Sequence, residues 1–322
     1  MSSTSQTTSS NRSNRNSMSK PHDGKNIHFV DPPHPNWKPG DKLSHQLGSD
    51  NYIGLKPEEL GGDLYPALIS AVCPRPIGFV CCLNSKGQRN LSPYSYFNVM
   101  NHDPALCVLG ANRSAQREGG GMKDFEQYVR ETGEFTVNMI SDWFVEAANF
   151  TCGAFDAGVD EMDMSGLTPM PSVRVKPPRV KESAVQLECK VKHIYDTTNS
   201  KGVTTGAIII AEILLLHIHE AVAGRSPHGK TIVDIDKYEP IARLGGLFYC
   251  RVKEVFELPR PNEEQISERQ QEYYEQTGES AKHAVDPPQE GDAKAVASAE
   301  HIKIRPVIPR LVCMSVTIFG RS

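Results

Sequence analysis

The chain has 322 residues, and its 35 Lys and Arg against 39 Asp and Glu give a formal net charge of −4. That length fits one large domain or two ordinary ones. The near-neutral charge argues against nucleic acid as a partner, because phosphate backbones require concentrated lysine and arginine. The longest apolar stretch, residues 207–216, contains Glu212 and is too short to cross a bilayer, so we also expect no membrane partner.

The eight cysteines show no CxxC spacing, and the amino-terminal residues are polar rather than apolar. Cysteines in such a pattern are typical of free thiols in a reducing compartment. We therefore expect a cytoplasmic protein.

The two ends of the chain differ in composition from its middle. Residues 1–50 are rich in Ser and Asn and then in Pro, which predicts a disordered tail. Residues 257–322 are predicted to form a charged, partly disordered extension, with a surface helix over 263–274. The apolar end of that extension, residues 305–322, could be an added strand or a docking tail, and the sequence does not choose between them.

Residues 51–256 are predicted to form one mostly β domain. Short, β-branched apolar runs bounded by Gly, Pro or Asn predict strands, and they lie at residues 76–83, 94–100, 105–111, 134–140, 185–195, 206–219 and 246–252. Apolar residues at helical spacing predict only two helices, over 123–131 and 142–150. Many strands with few helices favour a closed or partly closed barrel over a doubly wound sheet.

Three segments have the residue types that could bind a ligand. In the first, Arg75 stands between two prolines at the start of a strand. In the second, residues 90–98, small hydroxyl residues alternate with aromatic ones around Pro93. In the third, Arg113 and a run of glycines precede Lys123 and a helix, an arrangement typical of phosphate sites. The dinucleotide-binding, P-loop and nucleophile-elbow motifs are all missing from the sequence.

These segments resemble the flavin reductase-like, FMN-binding split-barrel family. The resemblance runs over about residues 62–253 and consists of Pro-Arg-Pro-Ile-Gly-Phe-Val (74–80), Asn-Leu-Ser-Pro-Tyr-Ser-Tyr-Phe-Asn (90–98), Asp-Pro (103–104), Lys-Asp (123–124), Glu-Thr-Gly-Glu-Phe-Thr-Val-Asn (131–138), Gly-Leu-Thr (166–168), Leu-Glu-Cys (187–189) and Arg-Leu-Gly-Gly (243–246). It implies a split barrel of about six strands, Greek-key-like, with a few flanking helices. It also implies a homodimer with FMN at the interface.

Carried over position by position, the resemblance implies a set of cofactor-binding residues: Arg75, Ser92, Pro93, Tyr94, Ser95, Asn98, Arg113, Lys123, Asp124 and Arg243. The isoalloxazine ring would lie along the Ser92–Ser95 stretch, and Arg113 and Lys123 would bind the phosphate. Where the family often has a hydroxyl residue after Lys-Asp, this chain has Phe125, so we expect modest FMN affinity. Arg243 could be a surface charge or a contact from the second subunit to the cofactor.

The resemblance implies an FMN-dependent oxidoreductase that passes hydride from NADH or NADPH to a second acceptor. Because the flavin carries this chemistry, no catalytic acid–base pair is required. Two other functions stay open: a flavoprotein oxygenase acting on a small organic substrate, and a flavin- or haem-binding module without turnover. His217 and His219 would share one side of a strand, but no further ligand stands at supporting spacing, so no metal site is predicted.

Overall fold

A computed structural model describes residues 27–44, 47–49, 51–113 and 121–278. The chain divides into two compact units, one over residues 69–255 together with the segment that ends at residue 29, and the other over 30–68 and from 256 onward. The site lies in the first unit. Residues 1–26 of the tail predicted over 1–50, and the predicted apolar end at 305–322, lie outside the described residues.

The strands are β1 (His28–Phe29), β2 (Gly78–Leu83), β3 (Arg89–Tyr94), β4 (Phe97–His102), β5 (Ala105–Asn112), β6 (Glu134–Met139), β7 (Pro169–Met170), β8 (Arg179–Val180), β9 (Val185–Thr198), β10 (Thr204–Ile218), β11 (Ala223–Arg225), β12 (Thr231–Val233), β13 (Ile241–Arg243), β14 (Tyr249–Arg251) and β15 (Glu254–Val255). The α-helices are α1 (Pro57–Leu60), α2 (Leu64–Ala71), α3 (Asp124–Thr132), α4 (Val145–Phe150), α5 (Glu161–Met164), α6 (Ile235–Tyr238) and α7 (Glu263–Thr277).

Seven of these strands form one antiparallel sheet in the order β3-β2-β6-β9-β10-β5-β4. The two outermost strands, β3 and β4, are consecutive in the chain and are joined through Ser95 and Tyr96. The Tyr96 carbonyl accepts the Gly110 N–H of β5 at 2.8 Å, and β3 also lies against β5, so the sheet curls back on itself. The predicted mostly β split barrel with a few flanking helices is therefore confirmed.

Side chains of the curled sheet divide between two cores. On β2, Val80 and Cys82 face the barrel interior, while Phe79 and Cys81 face an outer cluster. All four are fully buried, and the alternation follows from the pleat of the strand. The outer cluster is covered by Phe144 and other residues of the 142–150 helical segment.

Helix α3 covers part of the barrel interior with one apolar face. Phe125, Tyr128 and Val129, spaced by three and four residues, belong to the barrel core. The helix ends at Gly133, whose left-handed backbone (φ 71°) suits a residue without a Cβ. The predicted helix over 123–131 therefore forms within one residue of its expected bounds.

Several described elements differ from the sequence predictions, and three of them bear on the site. The strand predicted over 94–100 is broken at Ser95, so that β3 ends and β4 begins within it. The strand predicted over 246–252 is the turn and second strand of a hairpin formed by β13 and β14. Helix α2 was not predicted, because its apolar residues show no helical stripe that stands out from the flanking sequence.

Two further observations concern helices. The predicted surface helix forms as α7, where Asn262 and Gln265 make a reciprocal capping box. No helix among the described residues has both the length and the apolar character needed to span a membrane.

Candidate functional site

The three ligand-binding segments of the sequence meet at the carboxyl end of β3. Arg75 Nε donates to Ser95 Oγ at 3.3 Å, which joins the first segment to the second. Lys123 Nζ lies 5.4 Å from the centroid of the Tyr94 ring, which joins the second segment to the third. Since these residues are up to 48 positions apart (123 − 75) in the sequence, the fold brings the segments together.

Strand β3 presents Ser92 and Pro93 at half-buried positions opposite Val80 and Phe79 of β2. A buried carboxylate, Glu161, fixes the strand. It accepts the Leu91 N–H at 2.9 Å and the Asn90 amide at 2.7 Å. Burial raises the pKa of Glu161, and these hydrogen bonds oppose the rise. Sequence reasoning missed Glu161, because a lone acid in a helix start carries no signal of a distant partner.

Tyr94 and Asn98 lie in contrasting surroundings. The Tyr94 ring is buried in the barrel core and packs against Phe125, with 4.9 Å between ring centroids. The same ring therefore packs in the core and lies next to the Lys123 ammonium. Asn98 is exposed on β4, and its side-chain oxygen accepts the Val99 N–H at 2.8 Å.

The Arg75 guanidinium is engaged by the protein itself. Besides Ser95, it donates to the backbone carbonyls of Ile69 and Val72 and, at 2.9 Å, to that of Leu244. The residue is buried, so these bonds hold the end of α2 and the turn after β13 against β3. Arg75 therefore holds segments of the site together. A contact from Arg75 to a cofactor stays a prediction.

Arg243 has a similar shaping role. Its backbone pairs with Arg75 in both directions, at 3.0 and 2.9 Å. Its guanidinium donates to the Gly246 carbonyl at 2.7 Å and to the Phe248 carbonyl at 3.0 Å, and it stacks 4.4 Å from the centroid of the Tyr249 ring. Arg243 thus closes the β13–β14 turn.

The amino terminus of α3 presents the residues predicted to bind phosphate. Lys123 is the N-cap residue in extended conformation, and Asp124 occupies the first helical position. Phe125 is fully buried, so the hydroxyl that the family often has at this position is replaced by core packing. Ser114 and the glycines at 119 and 120 lie outside the described residues.

Arg113 belongs to a network that sequence reasoning missed. Its Nη2 lies 2.7 Å from Oε1 of Glu126, a fully buried carboxylate on α3. Arg130, one turn further along the helix, also binds Glu126, with 2.9 Å between Nη2 and Oε1. Both arginines contact Asp196 at the end of β9. The spacing of Glu126 and Arg130 could have suggested a helical ion pair, but nothing in the sequence indicated that Arg113 and Asp196 would join it.

A second buried carboxylate binds a histidine outside this area. Glu188 on β9 accepts the backbone N–H groups of Val173, Arg174 and Val175. His217 Nε2 lies 2.6 Å from its Oε1. The described residues contain no group of three His, Cys, Asp or Glu side chains placed to hold a metal ion.

The side chains that meet at the carboxyl end of β3 fit a flavin mononucleotide. A phosphate monoester requires cationic donors. Lys123 directly precedes α3, and Arg113 pairs with Glu126 in the first turn of that helix. The ring system requires hydrogen-bond donors beside an apolar surface, and Ser92 and Ser95 stand on either side of Pro93 and Tyr94 in the chain. The residues present therefore suit the phosphate and the ring of such a group.

Comparison with known proteins decides the family. Residues 70–237 match the family described as flavin reductase like domain. The chain belongs to this family. Membership of this family supports a general role as a flavin-related oxidoreductase.

Relatives and solved structures match about two thirds of the chain. The uncharacterized protein YwrF of Bacillus subtilis is 33% identical over 200 residues, which are 62% of this chain and 94% of that protein. Nitrilotriacetate monooxygenase component B from Bacillus cereus has a similar structure, with 28% identity, a TM-score of 0.60, and coverage of 65% of this chain and 100% of that one. The 2-nitrobenzoate 2-nitroreductase NbaA of Pseudomonas fluorescens is similar over 69% of this chain and 98% of its own, with 27% identity and a TM-score of 0.54.

Proposed function

We propose that this protein is an FMN-dependent oxidoreductase of flavin reductase type, which takes hydride from NADH or NADPH and delivers electrons to a second acceptor. The observation that carries the proposal is the meeting of Lys123, the Tyr94–Ser95 stretch and Arg75 at one end of β3. A cation beside a hydroxyl-lined, proline-stiffened strand end provides both the charge and the donors that FMN requires.

The residues divide into those that would touch the cofactor and those that position them. Lys123 and Arg113 would bind the phosphate. Ser92, Pro93 and Ser95 would line the ring with hydroxyls and backbone, with Asn98 nearby, and Asp124 would shape the turn at the phosphate. Arg75 and Arg243 would hold these segments in place through their bonds to backbone carbonyls.

Bound FMN supplies the hydride acceptor and the electron donor. The protein residues bind the phosphate, orient the ring and limit access of water, so no side chain needs to act as acid or base. We place this chemistry in the cytoplasm. The seven described cysteines are free thiols, which suits a reducing compartment.

We propose that the active form is a homodimer with FMN at the interface. Strand β4 lies at an edge of the sheet and exposes Val99 and Met100 next to Asn98. A register shift between Val99 and Asn101 turns neighbouring apolar side chains outward. Adjacent exposed apolar residues on an edge strand favour coverage by a second chain.

A second candidate differs in the electron acceptor. NbaA is described as a 2-nitrobenzoate 2-nitroreductase, and this chain resembles it over 98% of its length. That likeness favours a small organic acceptor, such as a nitroaromatic compound, over free flavin. The two candidates share the cofactor site and the nicotinamide donor.

Absorbance and turnover measurements test the proposal. We expect the purified protein to bind added FMN with a changed flavin spectrum, and to oxidise NADH or NADPH only when FMN is present. Turnover is compared with excess free FMN, with 2-nitrobenzoate, and with oxygen in the presence and absence of a small organic substrate. These acceptors distinguish flavin reduction, nitro reduction and oxygenase chemistry. A protein that leaves the FMN spectrum unchanged at high concentration would contradict the proposal. One that binds FMN without oxidising either nicotinamide would be a binding module.

A further inference from the structure

A buried acid bonds the strand that is predicted to carry the flavin ring. Glu161, the first residue of α5, is 6% exposed. Its Oε2 accepts the Leu91 N–H at 2.9 Å, and its Oε1 accepts the Asn90 side-chain amide at 2.7 Å. Leu91 directly precedes Ser92, the first residue of the predicted ring-binding stretch. The Glu161 carboxylate is therefore bonded to the residue next to that stretch.

The contacts of Glu161 favour its ionised form. The Leu91 N–H and the Asn90 amide group are both donors, and a carboxylate is the state that accepts on both oxygens. Burial raises the pKa of Glu161, but these hydrogen bonds oppose the rise. A buried carboxylate with a donor on each oxygen places a negative charge beside β3.

Arg89 begins the same strand, but its guanidinium is engaged by other acids. Its Nη2 lies 2.6 Å from Oδ2 of Asp160 and 2.8 Å from Oδ1 of Asp163. Glu161 itself forms no ion pair with any of the described residues. Three acids thus share this part of the molecule with one arginine, and the cluster keeps a net negative charge.

A fixed negative charge affects how readily a nearby flavin accepts electrons. Uptake of two electrons and one proton adds one negative charge to the flavin ring. A buried carboxylate opposes that added charge through a Coulomb interaction, which is screened less in a protein interior than in water. Such a charge therefore lowers the midpoint potential of the bound flavin and makes the reduced flavin a stronger electron donor.

We propose that Glu161 is a positioning residue that holds Asn90 and Leu91 at the start of the ring-binding stretch, and that its charge lowers the midpoint potential of FMN bound there. The proposal rests on the proposed function in placing the FMN ring along Ser92 to Ser95. It deepens that function, because a lower potential favours transfer of electrons from the bound flavin to the second acceptor. Glu161 acts through β3 and through its charge, so it is not a catalytic residue.

The midpoint potential of bound FMN tests this role. Wild type, Glu161→Gln and Glu161→Asp are titrated with reductant and redox indicator dyes, in mildly alkaline buffer and with protein in excess over FMN. Gln has the shape of Glu without its charge, whereas Asp keeps the charge on a shorter side chain. At the wild-type midpoint, we expect Glu161→Gln to raise the ratio of reduced to oxidised FMN about tenfold, a rise of about 30 mV for this two-electron couple. For Glu161→Asp we expect that ratio to change less than about twofold.

A matched control makes the same substitution elsewhere. Glu212 pairs with Lys192 at 3.0 Å, on β10 and β9, and Glu212→Gln should leave the midpoint potential unchanged. Dissociation constants of oxidised FMN, from fluorescence quenching, separate the effect of charge from that of packing. A purely structural Glu161 would lower FMN affinity in the Gln and Asp variants alike and leave the potential unshifted. That result would overturn the proposal, as would an unshifted potential in Glu161→Gln with normal affinity.

A second variant covers the case of a Glu161→Gln protein that does not fold. Arg89→Gln removes the cation of the same cluster, so the potential should shift in the opposite direction, to a lower value. The ratio of reduced to oxidised FMN at the wild-type midpoint should then fall at least about twofold. A rise, or no change, would overturn the proposal, because an electrostatic effect requires opposite signs for opposite charges.

The outcomes also separate this inference from the proposed function. If the wild type binds FMN and Glu161→Gln shows the expected shift, but neither nicotinamide is oxidised, the inference stands and the proposed function fails. If the wild type turns over normally and no variant shifts the potential, the inference fails alone. A wild type that binds no FMN rejects both.

Discussion

Lys123 and Arg75 both place a positive charge beside the Tyr94–Ser95 stretch, but their surroundings differ. The Arg75 guanidinium is buried and donates to three backbone carbonyls and a hydroxyl. Lys123 is half-buried at the start of a helix, with its ammonium group over an aromatic ring. A lysine ammonium is a compact charge with three rotatable donors, whereas the Arg75 guanidinium donates to four groups of the fold itself.

Lys123→Ala should weaken FMN binding by about 1–3 kcal/mol, or roughly 5- to 150-fold in the dissociation constant, because a charge-assisted hydrogen bond to the phosphate is lost. Riboflavin has no phosphate, so its affinity should change little. Fluorescence titration measures both. Lys192→Ala, which removes an exposed lysine on β9, is the matched control and should change neither value. Unchanged FMN affinity in Lys123→Ala would move the phosphate site elsewhere.

Arg75→Ala should lower the free energy of unfolding by about 2–4 kcal/mol, because it leaves buried carbonyl groups without donors. Urea denaturation followed by circular dichroism measures the loss. Arg251→Ala, at an exposed ion pair with Asp142, should cost less than about 1 kcal/mol and serves as the control. An Arg75→Ala protein as stable as the wild type, but with weakened flavin binding, would show that the guanidinium contacts the cofactor instead.

Among the helices and strands, the sequence predicted best those whose structure depends on their own residues. The apolar stripe of α3 and the glycine that ends it predicted the helix to within a residue. The turn between β2 and β3 is also local in origin, because its Gly87 has φ 81°, a backbone conformation that favours glycine. Strands β5 and β6 were predicted from β-branched, apolar runs bounded by polar residues.

Long-range contacts explain what the sequence did not reveal. The break at Ser95 depends on Arg75 and on the Gly110 N–H that reaches Tyr96, neither of which is local. The Arg75 to Leu244 bond spans 169 residues. The resemblance grouped these segments, and the fold brings them together. The resemblance could not separate arginines that bind backbone carbonyls from residues predicted to contact a ligand, because that distinction depends on which carbonyls the fold brings within reach.

A buried carboxylate binds the loop between β7 and β8. Glu188 accepts three consecutive backbone N–H groups of that loop and the imidazole of His217. Burial by itself would raise the pKa of Glu188, but these hydrogen bonds outweigh it, so the pKa lies below the ordinary value of 4.5. The folded state therefore favours the ionised form.

The lowered pKa of Glu188 gives a signed prediction for stability against pH. The stabilisation is fully present above the unfolded pKa near 4.5 and is lost as pH falls through the lower folded pKa. Glu188→Gln should be less stable than the wild type at pH 7, with the difference shrinking below about pH 4. Urea denaturation between pH 3 and pH 7 tests this, with Glu212→Gln as the control. A difference that grew on acidification would contradict the assignment.

At the scale of the whole molecule, the apolar edge of β4 requires an explanation. Val99 and Met100 are 51% and 62% exposed, and they follow directly after the predicted cofactor residue Asn98. Apolar side chains left in water on an edge strand reduce solubility unless another chain covers them. A dimer formed through this edge would place the second chain beside the flavin-binding segment.

The double variant Val99→Glu, Met100→Glu should therefore convert the dimer into a monomer and weaken FMN binding, while the fold survives. Each new carboxylate would be desolvated by the partner chain and would repel its symmetry-related copy, which costs several kcal/mol across an interface. Light scattering after gel filtration gives the mass, and fluorescence titration gives the FMN constant. Val203→Glu, an exposed valine between β9 and β10, is the control and should stay dimeric. A double variant that remained a dimer with wild-type FMN affinity would exclude β4 as the interface, and a monomeric wild type would exclude the homodimer itself.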